Sequence, residues 1–136
     1  MGNNAEIKFR GKKFDTGEWV YGYYHLTIHS QTHCIDVPMA DFDNSILWHV
    51  NPATVGQFTG LKDKEGREIY EGDIVRFKKE YQAELPSDAI FQIVFDEGAF
   101  CGENTDWKEY LGVLVDVGTV EVIGNVHEHP ELLEVK

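Results

Sequence analysis

The chain has 136 residues, with 24 acids against 12 bases and a formal net charge of −12. A surface of that sign repels phosphate, which disfavours ordinary DNA or RNA binding. A hydrophobic share of 42%, with eight Phe, six Tyr and three Trp, is enough for a core, yet no apolar run approaches the ~20 residues of a membrane span.

Such a length predicts one domain or two small, intimately packed ones. No basic-then-apolar leader precedes Glu6, and Glu6 stands where myristoylation wants Ser or Thr. Cytoplasmic residence is therefore the expectation. Cys34 and Cys101 are far apart in sequence. In a reducing compartment they are expected as free, packed thiols, and a disulfide would need them to meet in space.

Ile7 to Phe14 reads as a strand, Asp15-Thr16-Gly17 as a turn, and Glu18 to Ile28 as a long aromatic strand. On a strand, Trp19, Tyr21 and Tyr23 share one face and Val20, Tyr24 and Leu26 the other. Both faces are apolar, so both are covered or one is a binding surface. Gly22 predicts a bulge or a close neighbour. Cys34 to Val37 is a short strand stopped by Pro38, and Met39 to Ser45 a loop. Ile46 to Val50 is apolar, and Asn51 is placed to cap a single helical turn over Pro52-Ala53-Thr54.

The segment from Val55 to Phe77 is the most informative. Asp63-Lys64-Glu65-Gly66 has turn composition, flanked by Val55, Phe58 and Leu61 before and Ile69 and Tyr70 after, which predicts a β-hairpin. Glu71-Gly72-Asp73 is a second tight turn, with Gly72 suited to a left-handed position, and Ile74 to Phe77 is a β-rich run. The acids of this segment do not fit an EF-hand: with Asp63 first, the sixth position is Glu68; with Gly66 sixth, the first is Leu61. They read as solvated hairpin charges.

Lys79 to Asp88 is polar and Pro-containing, the best candidate for a flexible loop or insertion. Ile90 to Phe95 and Ala99 to Cys101 form a hairpin over Asp96-Glu97-Gly98. A loop surrounds Trp107, and Tyr110 to Val117 and Val120 to Val126 are read as the last strands, joined at Gly118-Thr119. Many short strands with turn signals at intervals predict an all-β barrel or sandwich. A soft division near Thr54 separates an N-terminal β-subdomain, 1–54, from an SH3-like barrel subdomain, 55–136.

Three blocks of the chain resemble the YopX family of phage and prophage proteins. One holds Gln57, Thr59-Gly60-Leu61, Asp63, Gly66 and Ile69-Tyr70-Glu71-Gly72-Asp73-Ile74-Val75. The second is Glu121-Val122-Ile123-Gly124-Asn125-Val126, then Pro130-Glu131-Leu132-Leu133. The third opens the chain with Ile7-Lys8-Phe9-Arg10 and Gly17-Glu18-Trp19-Val20-Tyr21-Gly22. The resemblance implies barrel-type β-subdomains, a phage-derived gene in a bacterial host and no agreed activity. Gly11-Lys12-Lys13 departs from the pattern, as does His129, where an Asn would cap the final turn better.

No constellation selects a chemistry. His25, His29 and His33 recur every fourth residue. On a strand such positions lie ~13 Å apart, too far for one ion. His127 and His129 flank Glu128 in what reads as an exposed tail. No metal, no cofactor and no catalytic residue are therefore assigned, and the chain is read as non-enzymatic. The aromatics Trp19, Tyr21, Tyr23 and Trp107, with Trp48, are either core or the floor of a groove for a peptide or small molecule. The expectation is an interaction module for an unknown host or phage protein, with self-association open. The alternatives are a nucleotide or metabolite binder, an unrecognised enzyme, or an acidic mimic of DNA that blocks a host nucleic-acid enzyme.

Overall fold

A computed structural model of the chain describes residues 6–39 and 44–134. It is built mostly of antiparallel strands, as an all-β chain should be, and its contacts divide it into two units, Met1–Phe58 and Thr59–Lys136. Among the described residues no helix is long and apolar enough to cross a membrane.

The first unit is a meander of β1 (Phe9–Lys12), β2 (Trp19–Leu26), β3 (His33–Pro38) and β4 (Ser45–His49). The start of β5 (Gly56–Lys62) pairs with β1 on the side away from β2. Part of the expected loop over Met39 to Ser45 lies outside the described residues. The ends of the meander meet: Lys13 bridges Val50, Phe14 N–H donates to His49 C=O at 2.9 Å, and Asn51 N–H donates to Lys12 C=O at 2.9 Å. These bonds join the residues just after β1 to the residues at the end of β4. Strand alternation sends Val20, Ile35 and Val50 into its core, with Phe9, Tyr24, Val37, Trp48 and Val55 packed around them.

Gly22 is there for lack of room. A Cβ on it would lie 2.2 Å from the backbone oxygen of Asp36 on the neighbouring strand. Pro52–Thr54 is the expected single helical turn, of 3-10 type, with Asn51 Oδ1 accepting from Ala53 N–H at 3.0 Å. Thr54 Oγ1 locks it by donating to Asn51 C=O and accepting from Lys12 N–H.

The second unit opens with the hairpin of β5 and β6 (Glu68–Tyr70), followed by β7 (Asp73–Lys79), β8 (Asp88–Asp96), β9 (Ala99–Glu103) and β10 (Lys108–Tyr110). A helix, α1 (Leu111–Val117), leads to β11 (Gly118–Asn125). The sheet runs β10-β9-β8-β7-β11, so β11 returns to lie beside β7. Its core holds Ile69, Val75, Phe77, Leu85, Phe91, Ile93, Leu111, Leu114 and Val120.

Three expectations need correcting here. The stretch Tyr110 to Val117 is largely helix rather than strand: Leu111 and Leu114, three apart, point together into the core, and that packing overrides the β-preference of its valines. The polar segment Lys79 to Asp88 is not a free loop. Leu85 is buried in the core, and Lys79 Nζ donates to the carbonyls of Ala83 and Leu85, both at 3.1 Å. Finally, Asp63 and Asp73 are not solvated hairpin charges but buried carboxylates. Asp63 Oδ1 accepts the N–H of Glu65 and of Arg67, and Asp73 Oδ2 accepts that of Tyr70 at 2.7 Å. Each satisfies turn donors that would otherwise be stranded.

Candidate partner and ligand surfaces

On β2 the side chains of Trp19, Tyr21 and Tyr23 stand on the face opposite the core of the first unit, because Val20, Gly22 and Tyr24 take the inward positions. Trp19 does not present a bare ring. The Arg10 guanidinium lies 4.4 Å and the Lys12 ammonium 5.5 Å from its centroid, so cations of β1 already use its π-face. Tyr21 and Tyr23 are exposed, at 46% and 55%. Across the sheet Tyr23 pairs with Asp36, and Asp36 with Leu47, which is 45% exposed. Tyr23 and Leu47 thus stand on the same sheet face with the Asp36 carboxylate between them. Trp48 belongs instead to the core side, its ring 3.5 Å from Lys13 Nζ.

β4 ends the sheet order of the first unit. Val50 N–H bonds inward to His33 C=O, whereas His49 C=O is taken from the other side by Phe14 N–H. Antiparallel ladders alternate in this way residue by residue. The next outward-facing pair along β4 therefore belongs to Leu47, whose N–H and C=O point off the sheet edge. An edge of this kind is a template for a further strand.

Trp107 lies in the second unit and is 40% exposed. It lines a cleft of about 840 Å³ together with Arg76, Asp88, Gln92, Glu103, Asp106 and Leu133. Asn104 fixes the loop that carries it. Its Oδ1 accepts from Asp106 N–H at 2.9 Å and Trp107 N–H at 2.8 Å, and its Nδ2 donates to Ile90 C=O at 3.2 Å. Arg76 and Asp88 form a two-pronged ion pair at 3.1 and 2.8 Å. That bond raises the Arg76 pKa and lowers that of Asp88. The four aromatics singled out in the sequence thus divide between two places: Trp19, Tyr21 and Tyr23 on one sheet face, Trp107 in a cleft of the other unit. What the sequence left invisible is the Asn104 brace and the exposed ladder groups of Leu47, both of which depend on register.

The histidines stay apart. His33 Nδ1 shares a 2.5 Å hydrogen bond with Tyr24 Oη, and His25 and His29 are exposed. His127 and His129 are exposed at a turn held by Asn125, whose Oδ1 accepts from His127 and Glu128 N–H, while His129 Nδ1 accepts from Asn125 N–H at 3.3 Å. The last turn, Pro130–Glu134, forms without an Asn before it. Among the described residues no three His, Cys, Asp or Glu side chains gather as they would around a metal ion. Cys34 and Cys101 are buried free thiols, both with raised pKa; burial is the main cause.

A family model described as YopX protein matches residues 8–134. The crystal structure of protein EF1440 from Enterococcus faecalis superposes with a TM-score of 0.57, covering 96% of this chain and 99% of that one at 24% identity. At that identity the likeness concerns the fold alone. No curated protein matches the sequence.

Proposed function

The chain belongs to the YopX family, and from that premise we propose that it is a phage- or prophage-derived accessory protein of the bacterial cytoplasm, working as a non-enzymatic protein-interaction module. The observation that carries this reading is that Tyr21, Tyr23 and Leu47 are exposed on one sheet face, around Asp36, beside the outward-facing ladder groups of β4. An extended partner segment added to such an edge gains main-chain hydrogen bonds, and the neighbouring aromatics supply apolar contact. A second copy of the chain is a less favoured occupant, since each copy carries −12 and repels the other. Reading the second unit as an SH3-like barrel is supported by its meander β7 to β10, a short helix and the return of β11 beside β7.

The ligand-binding alternative has the cleft beside Trp107 in its favour, whose volume suits a small molecule. Its carboxylates, Asp88, Glu103 and Asp106, face one already paired Arg76, which disfavours nucleotides and other phosphates. DNA mimicry rests on net charge alone. Capture from host lysate tests the module: the wild type should retain a protein that a folded Tyr21→Ser/Tyr23→Ser/Leu47→Lys variant does not. Identical retention by both would refute the assigned face.

A further inference from the structure

We propose that the cleft beside Trp107 receives a lysine- or arginine-bearing segment of the partner protein, with one cationic side chain held between the indole ring and the carboxylates of Glu103 and Asp106. This inference rests on the interaction-module reading and names the chemistry of the partner.

The cleft is a built feature. It measures about 840 Å³ and one wall is the half-open Trp107. Asn104 ties the loop at three backbone groups, Asp106 N–H, Trp107 N–H and Ile90 C=O, so the backbone that carries the ring is already ordered before binding.

The charges select the sign of the occupant. Arg76 and Asp88 neutralise each other through their two-pronged pair. Lys108, the nearest base along the chain, stands opposite Glu103 across the β9–β10 ladder but turns its ammonium to Asp96, so among the described residues neither Glu103 nor Asp106 has an ion-pair partner. The field is felt next door: after burial, the negative charges of Glu103, Glu109 and Glu97 push the Cys101 thiol further up.

The remaining lining suits a long aliphatic stem with a charged head. Pro86, Ala89, Ile90 and Leu133 offer apolar wall, the indole face attracts a cation, and Gln92 adds a side-chain amide to the lining. A net charge of −12 would steer a basic partner toward the molecule from a distance.

The test is an amide and indole NMR titration of the full chain with a peptide alternating glycine with lysine and arginine. Its controls are the same peptide with acetyl-lysine and citrulline, and spermine as a free polyamine. The basic peptide should shift the Trp107 indole N–H, the Gln92 side-chain amide and the Asn104 loop, and the neutral peptide should not. Trp107→Ala should weaken binding about fivefold, as should Asp106→Asn. Glu97→Gln, at the tip of the β8–β9 hairpin, should leave affinity unchanged. Should Trp107→Ala fail to fold, the exposed Asp106→Asn decides alone. Equal binding of the neutral peptide, equal weakening by Glu97→Gln, or spermine binding as tightly as the peptide would each overturn the proposal. If capture through the β2–β4 face succeeds while the basic peptide leaves Trp107 unmoved, this inference fails and the module reading stands.

Discussion

Asp63 Oδ2 accepts the backbone N–H of Val122 at 2.9 Å, joining residues 59 positions apart in the chain. The same carboxylate closes its own turn through Glu65 and Arg67 N–H and receives the Arg67 Nε at 3.2 Å. One side chain thus holds the β5–β6 hairpin shut and pins it to β11. The family-like hairpin block and C-terminal block meet at this point.

Asp63→Asn should destabilise the protein by roughly 1–3 kcal/mol, because an amide nitrogen cannot accept and buried donors are stranded. Burial pushes the Asp63 pKa up, but the N–H groups of Val122, Arg67 and Glu65 with the Arg67 charge outweigh it and hold the carboxyl below its ordinary value of 3.8. A depressed folded pKa adds stability that is fully present above the ordinary value and is lost as pH falls through the folded one. Denaturant unfolding should therefore show a constant gap between wild type and variant from neutral pH down to about 4. The gap should close at lower pH. A gap that widens on acidification would contradict the assignment.

Gly22→Ala and Gly60→Ala should differ sharply. At Gly22 a Cβ meets the Asp36 backbone oxygen at 2.2 Å, so two strands must separate. A loss of about 3 kcal/mol or more is expected. At Gly60 there is open space, but φ is +88°, so only backbone strain of about 1 kcal/mol is expected. Thermal unfolding of the two variants side by side measures the difference, and equal melting temperatures would refute it.

Leu114→Ala should cost about 2–5 kcal/mol, since the side chain is wholly buried in the second core. Val113→Ala, on the exposed side of α1, should cost under about 0.5 kcal/mol beyond propensity. Were this segment a strand, residues 113 and 114 would also lie on opposite faces, so the discriminating position is Leu111. It is buried with Leu114, three residues away, as a helix places it and a strand does not. Leu111→Ala should thus be as damaging as Leu114→Ala.

The turns were readable in the sequence because each carries its own chemistry. Asp63-Lys64-Glu65-Gly66, the Asn51-Pro52 cap and the Glu97-Gly98 reversal, where φ is +50° and +84°, are local decisions made by local residues. The close approach at Gly22 was legible for the same reason. Long-range choices were not. Nothing in Leu111–Val117 marks it as helix except the core it packs against. Leu85 looks like one apolar residue in a polar loop until β7 and its neighbours form the pocket it fills. Nor could composition tell that Asp63 reaches Val122. Of the candidate surfaces, the alternation of Trp19, Tyr21 and Tyr23 was visible. The cations of β1 over Trp19 and the cleft around Trp107 required the register.

Tyr21→Ser and Tyr23→Ser should each change stability by less than about 0.5 kcal/mol, as exposed side chains away from caps and cores do. Val20→Ala, one step along the same strand and buried, should cost about 1–3 kcal/mol. Equal losses at positions 20, 21 and 23 would mean that the tyrosines are covered and serve no partner.

Amide hydrogen exchange of the captured complex tests the central claim most directly. With partner bound, exchange at Leu47 should slow strongly, because its outward N–H enters a new ladder, while Trp48, already bonded inward, changes little. Protection that leaves Leu47 untouched and falls elsewhere would contradict the β4 edge as the docking site.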